Sequence, residues 1–375
     1  MKSSRREFIK TGALVGGAIA TGLPTLTDAD TSDRQADDSL SVLVLGGTGF
    51  IGPHMVREML RRGHSVTLFN RGRTNSELFP DIETIKGDRD GGLQGLEGGS
   101  WDAVVDNSGY VPRHVEDSAR LLAKSTERYL FISTLSVYAS FNIENHEGSP
   151  LATIDDETVE EVTGETYGAL KALCEKRAAG EIDSDRLTVL RPNYIAGPGD
   201  HTDRFSYWPI RTRQGGEMVW PGTPSDLIQF IDVRDLAIFV VDCLEQDVSG
   251  IYNMTNPVGA YSMGRLLDDC KALTKAEVDP VWISEPFAYD QGLIGGRTLP
   301  IWHPSSGPES AGGGFSAERA LKAGLKNRPA RETSRDILNW WDTLPTERTE
   351  KLRAGLDPAR EADIIAAWRA GAAAK

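Results

Sequence analysis

The chain has 375 residues, of which 39% are hydrophobic and 26% are charged, a composition typical of globular proteins with a large core. The formal net charge of −14 at pH 7 disfavours general nucleic-acid binding through phosphate contacts, although it leaves room for a local basic pocket. The three cysteines show no metal-ligand spacing, so we expect free thiols and no metal site.

Residues 1–29 resemble a twin-arginine export signal. Arg5 and Arg6 are followed two residues later by Phe8, and then by a mild apolar run over 11–22 that is rich in Gly and Ala. The run is too short and too weakly apolar for a membrane span, so no stable membrane anchor is expected. A tail with two chance arginines is the alternative. We expect export to the periplasm, with residues 30–39 as a polar linker.

The first predicted strand is the continuous apolar run from Val42 to Leu45, and a glycine-rich turn follows it. A helical pattern then runs to Leu60, and the next strand covers 65–69. Strand, glycine turn, helix and strand within about thirty residues form the context of a dinucleotide site, although an ordinary strand-to-helix turn would look similar. The helix N-terminus would offer free N–H groups to the pyrophosphate. The predicted contacts in this turn are Gly46, Thr48, Gly49, Phe50, Ile51 and Gly52.

The second strand ends in Asn70, where sites for NAD commonly carry an acidic residue that binds the ribose. Arg71 and Arg73 follow, and guanidinium groups suit the 2′-phosphate of NADP. A solvated loop with two surface arginines is the alternative. We therefore predict NADP as the cofactor and leave NAD open.

Two further strand ends are predicted to approach the cofactor. Residues 82–88 form the third strand, and Asp88 either reaches the adenine or only caps the next turn. Residues 101–106 contain the fourth strand, and Asn107 and Ser108 follow at the edge where ligands bind in open parallel sheets. A helix over 115–127 and a fifth strand over 129–133 come next.

Three residues form the predicted catalytic group. Thr134 follows the fifth strand, with Ser133 and Ser136 as neighbouring alternatives, and Tyr167 and Lys171 share one face of a helix at i and i+4. The ammonium group should lower the pKa of the tyrosine, which could then exchange a proton with a substrate hydroxyl or carbonyl. Thr134 could hydrogen-bond the same oxygen. Each of these patterns also occurs by chance.

The sixth strand covers 187–192, and Pro192 and Ile195 complete the predicted cofactor contacts. Arginines in residues 201–224 point to an anionic ligand or are ordinary surface residues; they are Arg204, Arg211 and Arg213. Phe230 is predicted to begin another helix, and 250–254 form a late strand. The helix-rich remainder contains tryptophans that we expect in the core: Trp282, Trp302, Trp340, Trp341 and Trp368.

With these motifs the chain resembles the extended short-chain dehydrogenase/reductases of the NAD-dependent epimerase/dehydratase family. The matching motifs lie in order between residues 40 and 255: Gly46 to Gly52, Gly87-Asp88, Ser133-Thr134, Val137-Tyr138, Tyr167 with Lys171, Arg191-Pro192, Gly197-Pro198 and Phe230 to Ala237. The resemblance implies that Tyr167 is the general base, Lys171 its helper and Thr134 the hydroxyl partner. The Asn70-Arg71 turn is also similar to that of atypical chloroplast relatives that bind RNA.

We therefore predict an α/β fold with a doubly wound parallel sheet (Rossmann) and a smaller C-terminal substrate-binding lobe. Residues 40–198, re-entered at about 226–256, would form the cofactor domain, and 199–225 with 257–375 the substrate lobe. The expected activity is NAD(P)-dependent oxidoreduction of epimerase or dehydratase type on a sugar-like small molecule, without nucleic acid and with a homodimer left open. The alternative is a non-catalytic nucleotide-binding protein that acts by binding a partner.

Overall fold

Eleven strands form one large sheet and two small ones within the described part of the chain. The computed structural model describes residues 39–293, 296–304 and 313–373, so the expected export signal (1–29) and nearly all of the linker lie outside the described residues. The strands are β1 (Ser41–Leu45), β2 (Ser65–Asn70), β3 (Thr84–Lys86), β4 (Trp101–Asp106), β5 (Thr126–Ile132), β6 (Leu187–Pro192), β7 (Tyr194–Ala196), β8 (Gly216–Pro221), β9 (Phe230–Asp232), β10 (Gly250–Met254) and β11 (Val278–Ile283).

Helices connect most of these strands. They are α1 (Gly52–Arg61), α2 (Pro112–Leu122), α3 (Tyr167–Glu181), α4 (Tyr207–Arg213), α5 (Val233–Glu245), α6 (Met263–Thr274), α7 (Glu285–Asp290), α8 (Glu318–Lys322), α9 (Ala330–Trp341), α10 (Thr346–Thr349) and α11 (Pro358–Ala373). No helix in the described ranges is both long enough and apolar enough to cross a bilayer.

The large sheet has seven strands in the order β10-β6-β5-β4-β1-β2-β3, and every neighbouring pair is parallel. The order reverses at β1, which pairs with β2 on one side and β4 on the other. This confirms the predicted doubly wound α/β fold. In such sheets the carboxyl ends of the strands beside the reversal form a ligand-binding crevice.

Alternation of side chains along β1 explains why helices cover both faces. Val42 and Val44 pack with α1 and α5 on one face, whereas Leu43 and Leu45 pack with α2 and α3 on the other. Successive side chains of a strand point to opposite faces, so a strand buried on both faces must be apolar throughout. All four residues have 0% exposed surface.

A second hydrophobic core gathers residues that follow β6. The parallel pairs β7–β9 and β8–β11 and the last helices surround it. As predicted, the late tryptophans belong to it: Trp302, Trp340 and Trp341 are buried, and Trp282 and Trp368 pack against it partly buried. The cysteines are free and buried, as expected.

Several predicted boundaries were wrong. Phe230 begins the strand β9, which pairs with β7, and the helix starts only at Val233. Asp232 caps that helix, since its carboxylate accepts from the amide of Arg234 at 2.8 Å. The helix predicted over 115–127 ends at Leu122. The fifth strand, predicted over 129–133, already starts at Thr126. The third strand is shorter than predicted and covers only Thr84–Lys86.

Candidate active site

The glycine turn after β1 leaves no room for side chains at two of its positions. Gly46 has a φ of +94°, and a Cβ there would lie 2.7 Å from Cβ of Ser108. A Cβ on Gly52 would lie 2.5 Å from the carbonyl carbon of Gly47. Gly49 instead has no atom of the described residues within 4 Å of its Cβ position. The turn is therefore tight at its base and open at Gly49, as close approach of a ligand to the backbone requires.

The first turn of α1 adds an anion-binding character to this site. Ile51 occupies the N-cap without a side-chain hydrogen bond, and the first turn contains no acidic residue. No side chain caps this end of the helix, and the dipole favours a negative ligand. Pro53 has no N–H, and the amide of His54 donates to the carbonyl oxygen of Ile51 at 3.1 Å.

Asn75, which sequence reasoning missed, forms a side-chain hydrogen bond to the glycine turn. Its Nδ2 donates to the carbonyl oxygen of Thr48 at 3.0 Å, and Thr48 itself is buried. Asn75 has a φ of +43°, a conformation that asparagine adopts more readily than most residues. The contact ties the loop after β2, which carries Arg71 and Arg73, to the glycine turn.

Asn107 links the end of β4 to the same turn. Its backbone N–H donates to Leu45 and its Nδ2 to the carbonyl oxygen of Gly46, both at 3.1 Å. Its Oδ1 is buried and has no hydrogen-bond partner among the described residues. Buried acceptors normally have a partner, and the hydroxyl or amide donors of a dinucleotide would supply one. The residues present therefore fit such a ligand.

The end of β2 is more open. Oδ1 of Asn70 accepts a hydrogen bond from the backbone N–H of Gly72 at 2.7 Å, so this oxygen stabilises the turn that follows β2. Arg71 and Arg73 are exposed. The guanidinium of Arg71 lies 4.0 Å from the carboxylate of Asp88, and both side chains are about half exposed. Such a pair is weak, so Arg71 can turn to another anion at little cost.

Phe50 and His54 connect the glycine turn to the segment after β7. The Phe50 ring lies edge-on to His54 and to His201, at 6.4 and 6.3 Å between centroids. Nε2 of His54 lies 2.9 Å from the carbonyl oxygen of Pro198. Burial lowers the pKa of His54 to about 4, so the neutral ring donates this bond at pH 7. Sequence reasoning did not identify His54.

The two remaining predicted cofactor contacts lie on neighbouring short segments. Pro192 is the last residue of β6, and Ile195 is the central residue of β7, opposite Ile231 of β9. Both are thus placed at the carboxyl side of the large sheet, where β6 leads into the second core.

Tyr167 is the first residue of α3 and is partly buried. Its ring lies 6.4 Å from that of Tyr110, a neighbour that sequence reasoning missed. Burial raises the pKa of Tyr167, and the neighbouring Thr134 hydroxyl and the positive charge of Arg204 act in the opposite direction. Thr134 in turn accepts from the backbone N–H of Ser136 at 3.2 Å. Gly168, the next residue after Tyr167, packs against this turn, since a Cβ there would lie 2.2 Å from the carbonyl oxygen of Ser136, so the structure places Tyr167 beside the turn that begins at Thr134.

The role expected for the lysine needs correction. Lys171 is 3% exposed, and its Nζ donates to the carbonyl oxygens of Gly109 at 2.6 Å and Ile132 at 2.8 Å. The ammonium also lies 4.1 Å from the ring centroid of Phe131. Burial lowers the pKa of Lys171 to about 8. The pKa of Tyr167 is therefore raised by burial, not lowered by this lysine as we expected, since the ammonium is directed at the two strand ends.

A buried ion pair fixes the neighbouring hydroxyl. Arg191 donates from Nε and Nη2 to the carboxylate of Glu175 at 3.0 and 2.6 Å. Ser133 donates from Oγ to the same carboxylate at 2.5 Å. The Ser133 hydroxyl is committed to this network, which leaves Thr134 as the strand-end hydroxyl next to Tyr167.

A second buried pair supports the end of β4. The guanidinium of Arg89 binds both carboxylate oxygens of Asp106, one of them at 2.7 Å. The hydroxyl of Tyr129 donates to the same carboxylate at 3.0 Å. Asp106 immediately precedes Asn107, so this network sets the backbone from which Asn107 contacts the glycine turn.

The sequence was compared with known protein families and with characterised proteins. The sequence model of the NAD dependent epimerase/dehydratase family matches residues 42–94 and 94–255, which is more than half of the chain. The chloroplast stem-loop binding protein of 41 kDa b from Arabidopsis thaliana is 26% identical over 238 residues, which cover 59% of this chain and 60% of that protein. The match thus spans less than two thirds of that relative's length.

Two solved structures share the fold. The Bordetella bronchiseptica enzyme WbmG in complex with NAD has a TM-score of 0.58 and 18% identity, and the match covers 86% of this chain and 99% of that one. Human epimerase family protein SDR39U1 with NADPH has a TM-score of 0.54 and 22% identity, covering 81% and 100%. Together with the family match, these neighbours support a nicotinamide dinucleotide as the cofactor.

Proposed function

This chain belongs to the NAD dependent epimerase/dehydratase family, and we propose that it catalyses NAD(P)-dependent oxidoreduction at a secondary alcohol or ketone carbon of a sugar or sugar-like substrate. The observation that carries the proposal is the position of Tyr167 at the start of α3, which Lys171 binds to the end of β5 and which packs beside the turn that begins at Thr134. The glycine turn after β1 lies at the same carboxyl edge of the parallel sheet. An epimerase- or dehydratase-type outcome is included in the proposal.

The chemistry assigned to Tyr167 follows from its surroundings. Because burial raises its pKa, the phenol stays protonated at neutral pH and can donate a proton to a carbonyl oxygen. In the reverse direction it must accept a proton, and the neighbouring Thr134 hydroxyl and the charge of Arg204 favour the phenolate. A bound nicotinamide supplies the hydride acceptor or donor. Lys171 holds the helix that carries Tyr167 against the ends of β4 and β5.

For the cofactor we propose NADP, with NAD as the second choice. The glycine turn and the uncapped N-terminus of α1 would hold the pyrophosphate. Arg71 has only the weak, exposed pair with Asp88 at 4.0 Å, and the exposed Arg73 forms no ion pair among the described residues, so both are available for a 2′-phosphate. The SDR39U1 structure, which contains NADPH, is in line with this choice.

A second candidate function is binding of a partner without turnover. The observation in its favour is the Arabidopsis relative, whose name states that it binds a stem-loop. The net charge of −14 opposes it for this chain, because RNA affinity depends largely on neutralising phosphates. We therefore rank it below the enzymatic function.

The two functions are separated by one pair of assays on the NADP⁺-loaded protein. A panel of sugars and sugar acids is tested for formation of reduced nicotinamide and of altered sugar by mass spectrometry. A stem-loop RNA is titrated in parallel at physiological salt. Sugar-dependent turnover without RNA binding supports the enzyme, whereas tight RNA binding without any turnover contradicts it.

We also propose that the protein is exported by the twin-arginine route and acts in the periplasm. The support is the sequence of residues 1–29, with Arg5, Arg6 and Phe8 before a mild apolar run.

A further inference from the structure

Three arginines follow Gly197 within residues 201–224, and they differ in their partners. Arg211 donates from Nε to Glu361 at 2.7 Å, and Arg213 donates to Asp342 at the same distance. Arg204 forms no ion pair with a carboxylate among the described residues, and its one hydrogen bond there is from Nε to a threonine hydroxyl. Two of the three arginines therefore have a direct carboxylate partner, and the third has none among the described residues.

The guanidinium of Arg204 is nevertheless held in a fixed orientation. Its Nε donates to Oγ1 of Thr202 at 3.1 Å, and that hydroxyl donates to the buried carboxylate of Asp200 at 2.7 Å. Its Cζ lies 4.9 Å from the ring centroid of Tyr194, so the planar group lies against an aromatic face. Thus Nε of the guanidinium is bound within the protein. The edge of the guanidinium formed by Nη1 and Nη2 has no hydrogen-bond partner within the described ranges.

Arg204 lies in the segment that contacts the glycine turn, because the ring of His201, three residues earlier, lies 6.3 Å from that of Phe50. Burial raises the pKa of Tyr167, and the charge of Arg204 acts in the opposite direction as a smaller effect. It acts in the same direction on the pKa of Tyr194, whose hydroxyl lies 3.1 Å from Nε2 of His303. An oriented cation with no direct ion pair among the described residues therefore lies in the segment beside the cofactor turn, and its charge acts on the proposed general acid.

We propose that Arg204 recognises an anionic group of the substrate, a carboxylate or a phosphate, through its Nη1–Nη2 edge. A planar fork matches two oxygens of such a group, whereas a neutral polyol offers no charge to balance it. The anion would fix the substrate so that its reacting carbon lies at Tyr167. The substrate class is accordingly a sugar acid or sugar phosphate. This inference rests on the proposed oxidoreductase function and narrows its substrate.

The test is calorimetric titration of the NADP⁺-loaded protein with three probes: glucose, glucuronate and glucose 1-phosphate. We expect at least one anionic probe to bind about tenfold or more tightly than glucose, since hydrogen bonds to charged groups contribute about 1.5–3 kcal/mol. Arg204→Gln should abolish this preference, and Arg204→Lys should restore part of it. Arg213→Gln, which loses only the pair with Asp342, should keep it. The probe that gains affinity tells carboxylate from phosphate.

The inference is overturned if the anionic probes bind no better than glucose, including the case in which no probe binds. It is also overturned if Arg204→Gln keeps the preference. NADP⁺ affinity is measured for every variant, so that loss of the cofactor site is recognised separately. Loss of anion preference with turnover that still depends on Tyr167 contradicts this inference alone, whereas absence of NADP⁺ binding by the unmodified protein contradicts the proposed function.

Discussion

Lys171 donates from Nζ to the carbonyl oxygen of Gly109 at 2.6 Å, and it thereby joins α3 to the turn that follows β4. The second bond, to Ile132 at 2.8 Å, joins the same helix to the end of β5. Tyr167 lies one helical turn earlier on α3, so its position depends on these two bonds. The lysine therefore acts on the site mainly by positioning the segment that carries the phenol.

The first prediction concerns the pH dependence of stability. The pKa of Lys171 falls from its usual 10.5 to about 8 in the folded protein, because burial disfavours the ammonium. Below pH 8 the folded protein is destabilised by the full free energy of burying the charged ammonium. Between pH 8 and 10.5 the unfolded chain binds more protons than the folded protein does. As the pH rises from 8 to 10.5, the free energy of unfolding should therefore increase by up to about 3 kcal/mol because of Lys171.

Chemical denaturation at several pH values measures this contribution. Lys171→Met should lack the rise, and Lys176→Met on the same helix should keep it, because Lys176 is exposed and, among the described residues, pairs only with Glu157. If the free energy of unfolding changes with pH in the same way for the unmodified protein and for Lys171→Met, burial of the Lys171 ammonium does not destabilise the folded protein.

The second prediction separates folding from cofactor binding at the glycine turn. Gly49→Ala places a methyl group in open space, so the free energy of unfolding should stay within about 0.5 kcal/mol of the unmodified value. NADPH affinity should fall at least about tenfold, because the pyrophosphate must approach this backbone. Gly180→Ala, at an equally open position on α3, should leave affinity unchanged. Normal NADPH binding by Gly49→Ala would place the cofactor elsewhere.

The third prediction concerns cofactor choice. Fluorescence titration should show NADPH binding more tightly than NADH, and Arg71→Ala should narrow the difference by about 1–3 kcal/mol through loss of a charge-assisted contact. Arg331→Ala, an exposed arginine on α9, serves as the control. Equal affinities of the unmodified protein for the two nucleotides would refute the assignment to NADP.

Local patterns explain what the sequence could predict. The run from Val42 to Leu45, the glycines after it and the helical spacing up to Leu60 specify β1, the turn and α1 by short-range rules, and the structure contains all three. Tyr167 and Lys171 fall on one helix because their spacing alone places them there.

Long-range contacts explain what it could not. The acceptors of Lys171 lie 62 and 39 residues away, so no local pattern shows where its ammonium points. Phe230 lies in an apolar run that suits strand or helix, and only pairing with β7 decides in favour of the strand. The contrast between Arg204 and its two neighbours likewise depends on carboxylates from α9–α11, far along the chain.

The fourth prediction follows from the proposed export. The periplasm offers no expected pool of NAD(P)H, so a freely exchanging dehydrogenase would stop after one turnover. We predict that the cofactor is loaded before export, retained through slow dissociation and restored within each catalytic cycle. Protein recovered from the periplasm should carry near-stoichiometric NAD(P) after extensive dialysis, detected by mass spectrometry on denaturation. An exported, folded protein with an empty site would refute the idea.

The most direct test of the central claim is the turnover of Tyr167→Phe, measured with a substrate that the unmodified protein converts. The substitution removes one hydroxyl and leaves the ring near Tyr110 in place. We predict that turnover falls at least ~100-fold, the usual scale for loss of a general acid–base, while NADPH affinity stays nearly unchanged. If Tyr167→Phe keeps most of the activity, Tyr167 is not the proton-transfer group and the proposed mechanism is wrong.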